Sequence, residues 1–185
     1  MRLFIASGFS APVLGRISEL RSFAEARLGE RVKWVEPENI HLTWAFLGEV
    51  AAEELLPAIQ KSMHAAAGVV RRMPVALGGL GAFPSLERPR VLWLGVRQGA
   101  EPLKTLAMKL YGNLSAEGFI FEHEFSAHVT LARVKGLLDP AALASVVDKA
   151  GEMDVRDTIA ALDLMESRLS SLGPEYRVIC SSKII

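Results

Sequence analysis

His41 and His128 each stand two residues ahead of a threonine, in "HLTWAFLG" (41–48) and "HVTLARVK" (128–135). The chain holds four histidines and four threonines. Chance would place a threonine two residues after two of those histidines about 0.3% of the time, so the repetition asks for a common cause. Read as strands, the two segments alternate. His41, Thr43 and Ala45 point to one face, and Leu42, Trp44 and Phe46 to the other. In the second segment His128, Thr130 and Ala132 share a face, with Val129 and Leu131 opposite. The apolar sets must cover a core, so the histidine–threonine sets face away from it. Two such sets in one chain favour a common cleft over two unrelated half-exposed strands.

Two imidazoles on opposite walls of a cleft supply a general base and a general acid near neutral pH, because an ordinary imidazole titrates near 6.5. A hydroxyl two residues along the strand lies on the same face, about 6.5–7 Å further on. From there it donates to an oxygen of a group held between the rings. Displacement at phosphorus fits this set: a base on one side, an acid on the other, and donors to the non-bridging oxygens. No divalent metal is demanded when the leaving oxygen is protonated directly. The spacing leaves open which histidine plays which part.

The elements that must position these residues follow from periodicity. "RLFIASGF" reads as a buried strand. "APVLGRISELRSFAEARLG" follows as a helix with Val13, Ile17, Leu20, Ala24 and Leu28 on one face and Gly29 as its cap. A short strand at "RVKWV" and a Pro-Glu-Asn turn lead into the first histidine strand. "AAEELLPAIQKSMHAAAG" is a second helix in which Pro57 must sit early. "MPVALGGLGAFP" and "RVLWLGV" are strands. The helix "EPLKTLAMKLYGNLSAEG", with Leu103, Leu106, Leu110 and Leu114 inward, then precedes the second histidine strand. "DPAALASVVDKAG" carries an Asp-Pro helix start. "VRDTIAALDLMESRL" and "EYRVICSSKII" close the chain as strands around the turn "SSLGP". The order partly repeats. The fold class is therefore α+β and bilobal: two pseudo-symmetric, mainly antiparallel sheets backed by helices, one histidine strand in each, with weak internal duplication in a single domain over 1–185.

Composition bounds the rest. Of 185 residues, 50% are hydrophobic and 23% charged, the profile of a buried globular chain. The 21 basic and 21 acidic residues cancel. Coating a long nucleic acid normally takes a basic excess, so neutrality points to a small ligand or to recognition of a polymer's end. Cys180 is the single cysteine, which excludes an intrachain disulfide and a cysteine-rich zinc cluster, and it reads as a small buried hydrophobe. The opening "MRLFIASGFSAP" has about six apolar residues, too few for a signal core or a membrane span, so a cytoplasmic location without membrane attachment is expected.

Beyond the two motifs, the chain resembles the 2H phosphoesterase superfamily, and within it the RNA 2′,3′-cyclic phosphodiesterases, also called 2′-5′ RNA ligases. The likeness runs through "RLFIA", "VKWVEPENIHLTWAFLGEV", "GLGAFPSLERPRVLWLGV", "FSAHVTLARV" and "LMESRLSSLGPEYRVI", in the family's order and over nearly the whole length. It implies hydrolysis of a terminal RNA 2′,3′-cyclic phosphate to a 2′-phosphate in a bilobal cleft. His41 would donate the proton to the departing 3′ oxygen, and His128 would accept one from water. Thr43 and Thr130 would hold the phosphate. No cofactor and no metal is implied, and reverse 2′-5′ ligation needs no nucleotide. The partner implied is an RNA end bearing the cyclic phosphate, tRNA fragments among them, acted on by a monomer. Three positions depart from the family pattern: Ala127 replaces a usual proline, Trp44 a frequent leucine, and "SGFSAP" an acidic-apolar-proline run. Arg133 follows His128 by five residues, as in the family, and is the candidate substrate-binding cation. Strict alternation would turn it to the wrong face, so that role requires a bend in the strand.

Other features read as structural. "HEFSAH" places His123 and His128 five apart in extended sequence, whereas a zinc-binding helix needs four. The glycines of "GGLGAF" suit a bulge, not a phosphate loop. His64 reads as a surface residue of its helix. Arg71, Arg72, Arg88 and Arg90 suit equally a rim for an RNA end and solvated loop charges. Two rival functions stay open from sequence. One is the same chemistry on another small cyclic phosphate or a 2′-5′ oligonucleotide; the other is a nucleotide-binding module without turnover.

Overall fold

Apolar alternation and amphipathic spacing produce nine strands and four α-helices among residues 1–50, 53–170 and 173–185, which the computed structural model describes. The strands are β1 (Arg2–Ser7), β2 (Val32–Trp34), β3 (Leu42–Glu49), β4 (Met73–Phe83), β5 (Val91–Gln98), β6 (His128–Val134), β7 (Val155–Ile159), β8 (Ala161–Ser170) and β9 (Gly173–Lys183). The helices are α1 (Ala11–Leu28), α2 (Leu56–Ala67), α3 (Ala100–Ala116) and α4 (Pro140–Gly151). The expected stripes of α1 and α3 are buried. Pro57 sits in the first turn of α2, where its missing N–H costs nothing. Residues 51 and 52, part of the helical reading, lie outside the described residues. At the start of α4 the Asp139 carboxylate accepts a bond from the Ala141 N–H at 3.2 Å, and Pro140 follows it as the Asp-Pro signal predicts.

The strands form one antiparallel sheet in the order β7-β4-β5-β6-β3-β1-β8-β9, with β2 also on β6. The α+β, two-lobed architecture is as read from the sequence, but its two sheets are continuous. They meet at one residue pair, Leu42 with Val129. Each half has its own core. Leu3, Ile5, Leu42, Trp44, Leu162 and Leu164 pack under α2 and α3. Leu77, Leu92, Leu94, Val129 and Leu131 pack under α1 and α4. Helix α1 thus leaves β1 to cover the other half, and α3 leaves β5 to do the same in reverse. Each core draws on distant parts of the chain, which ties the halves together.

"VRDTIAALDLMESRL" is not one strand. It breaks at Ala160 into β7, which pairs with β4, and β8, which pairs with β1 on the opposite half. No turn residue marks the break; its one local trace is a change of phase, with Val155 and Ile159 buried before it and Leu162 and Leu164 after it. Which sheet edge needs a partner decides it. The β8–β9 hairpin closes through Leu169 with Pro174 and Ser170 with Gly173; Ser171 and Leu172 of the expected turn lie outside the described residues. The glycine run of β4 is a bulge, as expected: the β4–β5 register shifts between Leu77 and Leu80. A Cβ on Gly78 would collide with the Met153 carbonyl oxygen and lie 2.8 Å from Arg97 Nε. Arg97 uses that space to donate to the Gly151 carbonyl at the end of α4. No helix among the described residues is long and apolar enough to cross a membrane.

Candidate active site

Leu42 and Val129, the pair that joins the two halves, are each the residue after a motif histidine. An antiparallel pair between equivalent positions has a local two-fold axis through it. Extending that register by one residue each way sets His41 beside Thr130, and Thr43 beside His128. In that register the motifs are crossed, with each histidine opposite the other motif's threonine. Beyond this pair β3 turns to β1, while β6 turns to β5 and β2, and the strands splay to leave a cleft.

Both rings are held in the same way. His41 Nδ1 lies 2.6 Å from the Asn39 carbonyl oxygen, and His128 Nδ1 lies 2.8 Å from that of Ser126. A carbonyl only accepts, so each Nδ1 carries the proton and each Nε2 is the titrating atom. Aromatic walls fix the ring planes. His41 lies 5.1 Å from the Phe4 ring and 5.5 Å from Tyr176, the latter edge-on. His128 lies 5.0 Å from Phe83, edge-on, and 6.0 Å from Trp93. These four aromatics come from four different strands. The spacing of the motifs holds no trace of them. Burial pushes both histidine pKa values below the usual imidazole value, against the pull of the carbonyl bonds. Charge on His128 lowers His41 further, which marks the rings as neighbours.

Strict alternation fails after each threonine, and it fails identically in both motifs. On β3, Ile5 pairs with Ala45 and Ala6 with Thr43, which leaves Trp44 as an extra residue. On β6, Leu92 pairs with Ala132 and Trp93 with Thr130, which leaves Leu131 extra. Both bulges fall three residues after the histidine and reverse the facing that follows. Ala45 and Ala132, expected beside the histidines, are instead buried in the two cores, at 2% and 0% exposure. Phe46, expected in the core, is 73% exposed on the cleft face. Arg133, its equivalent in the second motif, is exposed there too. The bend that a binding role for Arg133 required is present. The charges of Arg133 and Arg2 bear on the Tyr176 hydroxyl, although burial raises that group's pKa overall. Arg133 thus faces the aromatic wall of His41.

The bulged Trp44 links the half-sites from below. It is 1% exposed. Its indole N–H donates to Ser7 Oγ at 2.7 Å, and Tyr111 donates to its carbonyl at 2.9 Å. Its ring stacks on Phe125 at 5.3 Å, one residue before the Ser126 carbonyl that orients His128. His64 and His123 are exposed, and neither belongs to a histidine–threonine motif. Burial pushes the Cys180 thiol pKa up, contrary to what a nucleophile needs. Among the described residues no cluster of three or more histidine, cysteine, aspartate or glutamate side chains is placed to hold a metal ion.

Comparison with known proteins agrees with this layout. The family model described as "LigT like Phosphoesterase" matches twice, over residues 9–93 and 94–176. An RNA 2′,3′-cyclic phosphodiesterase of Aeropyrum pernix is 36% identical over 92% of this chain and 96% of its own. One of Archaeoglobus fulgidus is 36% identical over 96% and 97%. Among solved structures, TT0787 of Thermus thermophilus superposes with a TM-score of 0.82 at 26% identity, covering 100% of this chain and 98% of that one. Escherichia coli LigT complexed with 3′-AMP gives 0.74 at 26% identity, with 99% and 97% covered. A model match in each half, one histidine–threonine strand in each match, and relatives alike from end to end leave one conclusion: the chain belongs to the LigT-like phosphoesterases of the 2H superfamily.

Proposed function

We propose that this protein hydrolyses RNA 2′,3′-cyclic phosphate ends to 2′-phosphomonoesters by acid–base catalysis without a metal. The observation that carries the reading is the crossed pair of motifs, with two free Nε2 atoms and two threonines around one cleft. Relatives named RNA 2′,3′-cyclic phosphodiesterase support the substrate, and the neighbour complexed with 3′-AMP supports a nucleotide in the cleft. Water attacks phosphorus as His128 takes its proton. The bond from phosphorus to the 3′ oxygen breaks as His41 protonates that oxygen. Thr43 and Thr130 donate to the non-bridging oxygens as charge grows on them, and Arg133 binds the RNA substrate beside them. The assignment of acid and base follows the family resemblance. A 5′-hydroxyl in place of water gives 2′-5′ ligation by the same displacement, with the 3′ oxygen again leaving as His41 protonates it. The protein acts as a cytoplasmic monomer, with tRNA fragments among its substrates. It is a single duplicated domain, a reading that the two family-model matches support.

The test is to incubate the pure protein in excess EDTA with an oligonucleotide ending in a 2′,3′-cyclic phosphate and identify the product. Full activity and a 2′-phosphate are expected. Activity lost to EDTA and restored by zinc, manganese or magnesium would replace the imidazole mechanism with a metal-activated water. In the same assay kcat/KM follows a bell against pH, rising as the base loses its proton and falling as the acid does. It reports the free protein, in which burial lowers both histidines, so the bell lies on the acid side of about 6.5. The bound phosphate's negative charge favours imidazolium, so the bell in kcat moves to higher pH. Both limbs belong to the coupled pair. A kcat/KM bell centred well above that value would contradict the burial argument.

Thr43→Ala and Thr130→Ala each remove one neutral donor to the developing phosphorane charge, at a cost of about 1.5–3 kcal/mol in kcat/KM. Thr→Ser at either position keeps the hydroxyl and most of the rate. Serine as damaging as alanine would assign the loss to the methyl group and strand packing.

A further inference from the structure

Lys33 on β2 stands directly opposite Arg133 on β6. Their neighbours Val32, Trp34 and Ala132 are buried in the core under α1 and α4. Both cations therefore project from the other face, the one that carries Thr130 and His128. Both are exposed, and neither joins any ion pair found among the described residues. Like charges directly opposite on one face of an antiparallel pair repel and weaken the pairing. The chain as a whole is neutral, so this is not a sample of a generally basic surface. Two unneutralised cations at one register position offer a place for an anion.

Their place along the cleft says which anion. β2 lies on the same side of β6 as β3 does, so the seam that begins at Leu42 and Val129 leads on to Lys33 and Arg133. Three residues of bulged strand separate Thr130 from Arg133, about 7–10 Å. We propose that Lys33 and Arg133 form a second phosphate subsite, which takes the phosphodiester on the 5′ side of the terminal nucleoside while the cyclic phosphate lies between the histidines. This rests on the function proposed above and goes beyond it. The protein selects the end of an oligonucleotide over a cyclic mononucleotide, which has no second phosphate to offer.

The experiment compares kcat/KM for a trinucleotide ending in a 2′,3′-cyclic phosphate with that for the cyclic mononucleotide, in wild type, Lys33→Gln and Lys33→Arg. The ratio of the two falls about tenfold in Lys33→Gln. The dependence of log kcat/KM on log salt for the trinucleotide becomes shallower by about 0.7, the share of one single-strand phosphate contact. Lys33→Arg retains both the ratio and the slope. An unchanged ratio in Lys33→Gln, or a loss equal on both substrates, overturns the subsite. Wild-type protein that turned over neither substrate would overturn the parent function, and the subsite with it.

Discussion

His41→Ala and His128→Ala each lower kcat by about 10² to 10⁴, while the thermal midpoint stays near that of the wild type. The rate loss follows from the tautomer. Each Nδ1 is committed to a carbonyl, at Asn39 or Ser126, so Nε2 is the one atom of each ring free to move a proton. The other two histidines, His64 and His123, are exposed and belong to neither motif. The small effect on folding follows from the facing. Both rings are half-buried on the face away from the two cores, so truncation widens the cleft they line and leaves the cores intact. The freed carbonyls border the cleft, where water can take up the lost bond. The check is turnover of a cyclic-phosphate-ended oligonucleotide alongside a melting curve. A well-folded single mutant with near-normal turnover would remove the histidines from the mechanism.

Trp44→Ala lowers folding stability by about 3–5 kcal/mol, the range for deleting a large buried aromatic. The indole is fully enclosed and stacked on Phe125, and its N–H is satisfied by Ser7 Oγ. Truncation leaves a cavity beneath the motifs and removes the donor to Ser7 Oγ, which keeps its own bond to the Ala161 carbonyl. Trp44→Leu, which restores the residue frequent in the family, costs less because it refills part of that volume. Denaturant midpoints with unchanged slope measure both. A Trp44→Ala protein as stable as wild type would mean that the core under α2 and α3 collapses freely around the site.

The prediction for Trp44 depends on a facing that alternation gave correctly, while the residue two beyond it was given wrongly. Each motif is legible for three residues. His41, Leu42 and Thr43 face as period two requires, and so do His128, Val129 and Thr130. At the next position a bulge adds a residue. Ala45 and Ala132 then turn inward, and Phe46 and Arg133 turn outward. No glycine or proline marks either bulge. Trp44 and Leu131 are ordinary strand residues, and the shift appears only when partner strands fix the register. The break at Ala160 likewise lacks a turn residue, and its two pieces part because they pair with different strands.

The sequence by itself determined the chemistry's inventory: two histidines, two threonines, the strands that present them, and the helices whose stripes bury the other face. Those follow from side-chain type and local period, which act over a few residues. Tertiary structure alone decided that Leu42 pairs with Val129, the register that crosses the two motifs, and that Phe4, Tyr176, Phe83 and Trp93 wall the rings. These contacts join residues far apart in the chain, and they form only when both halves bury their apolar faces at once.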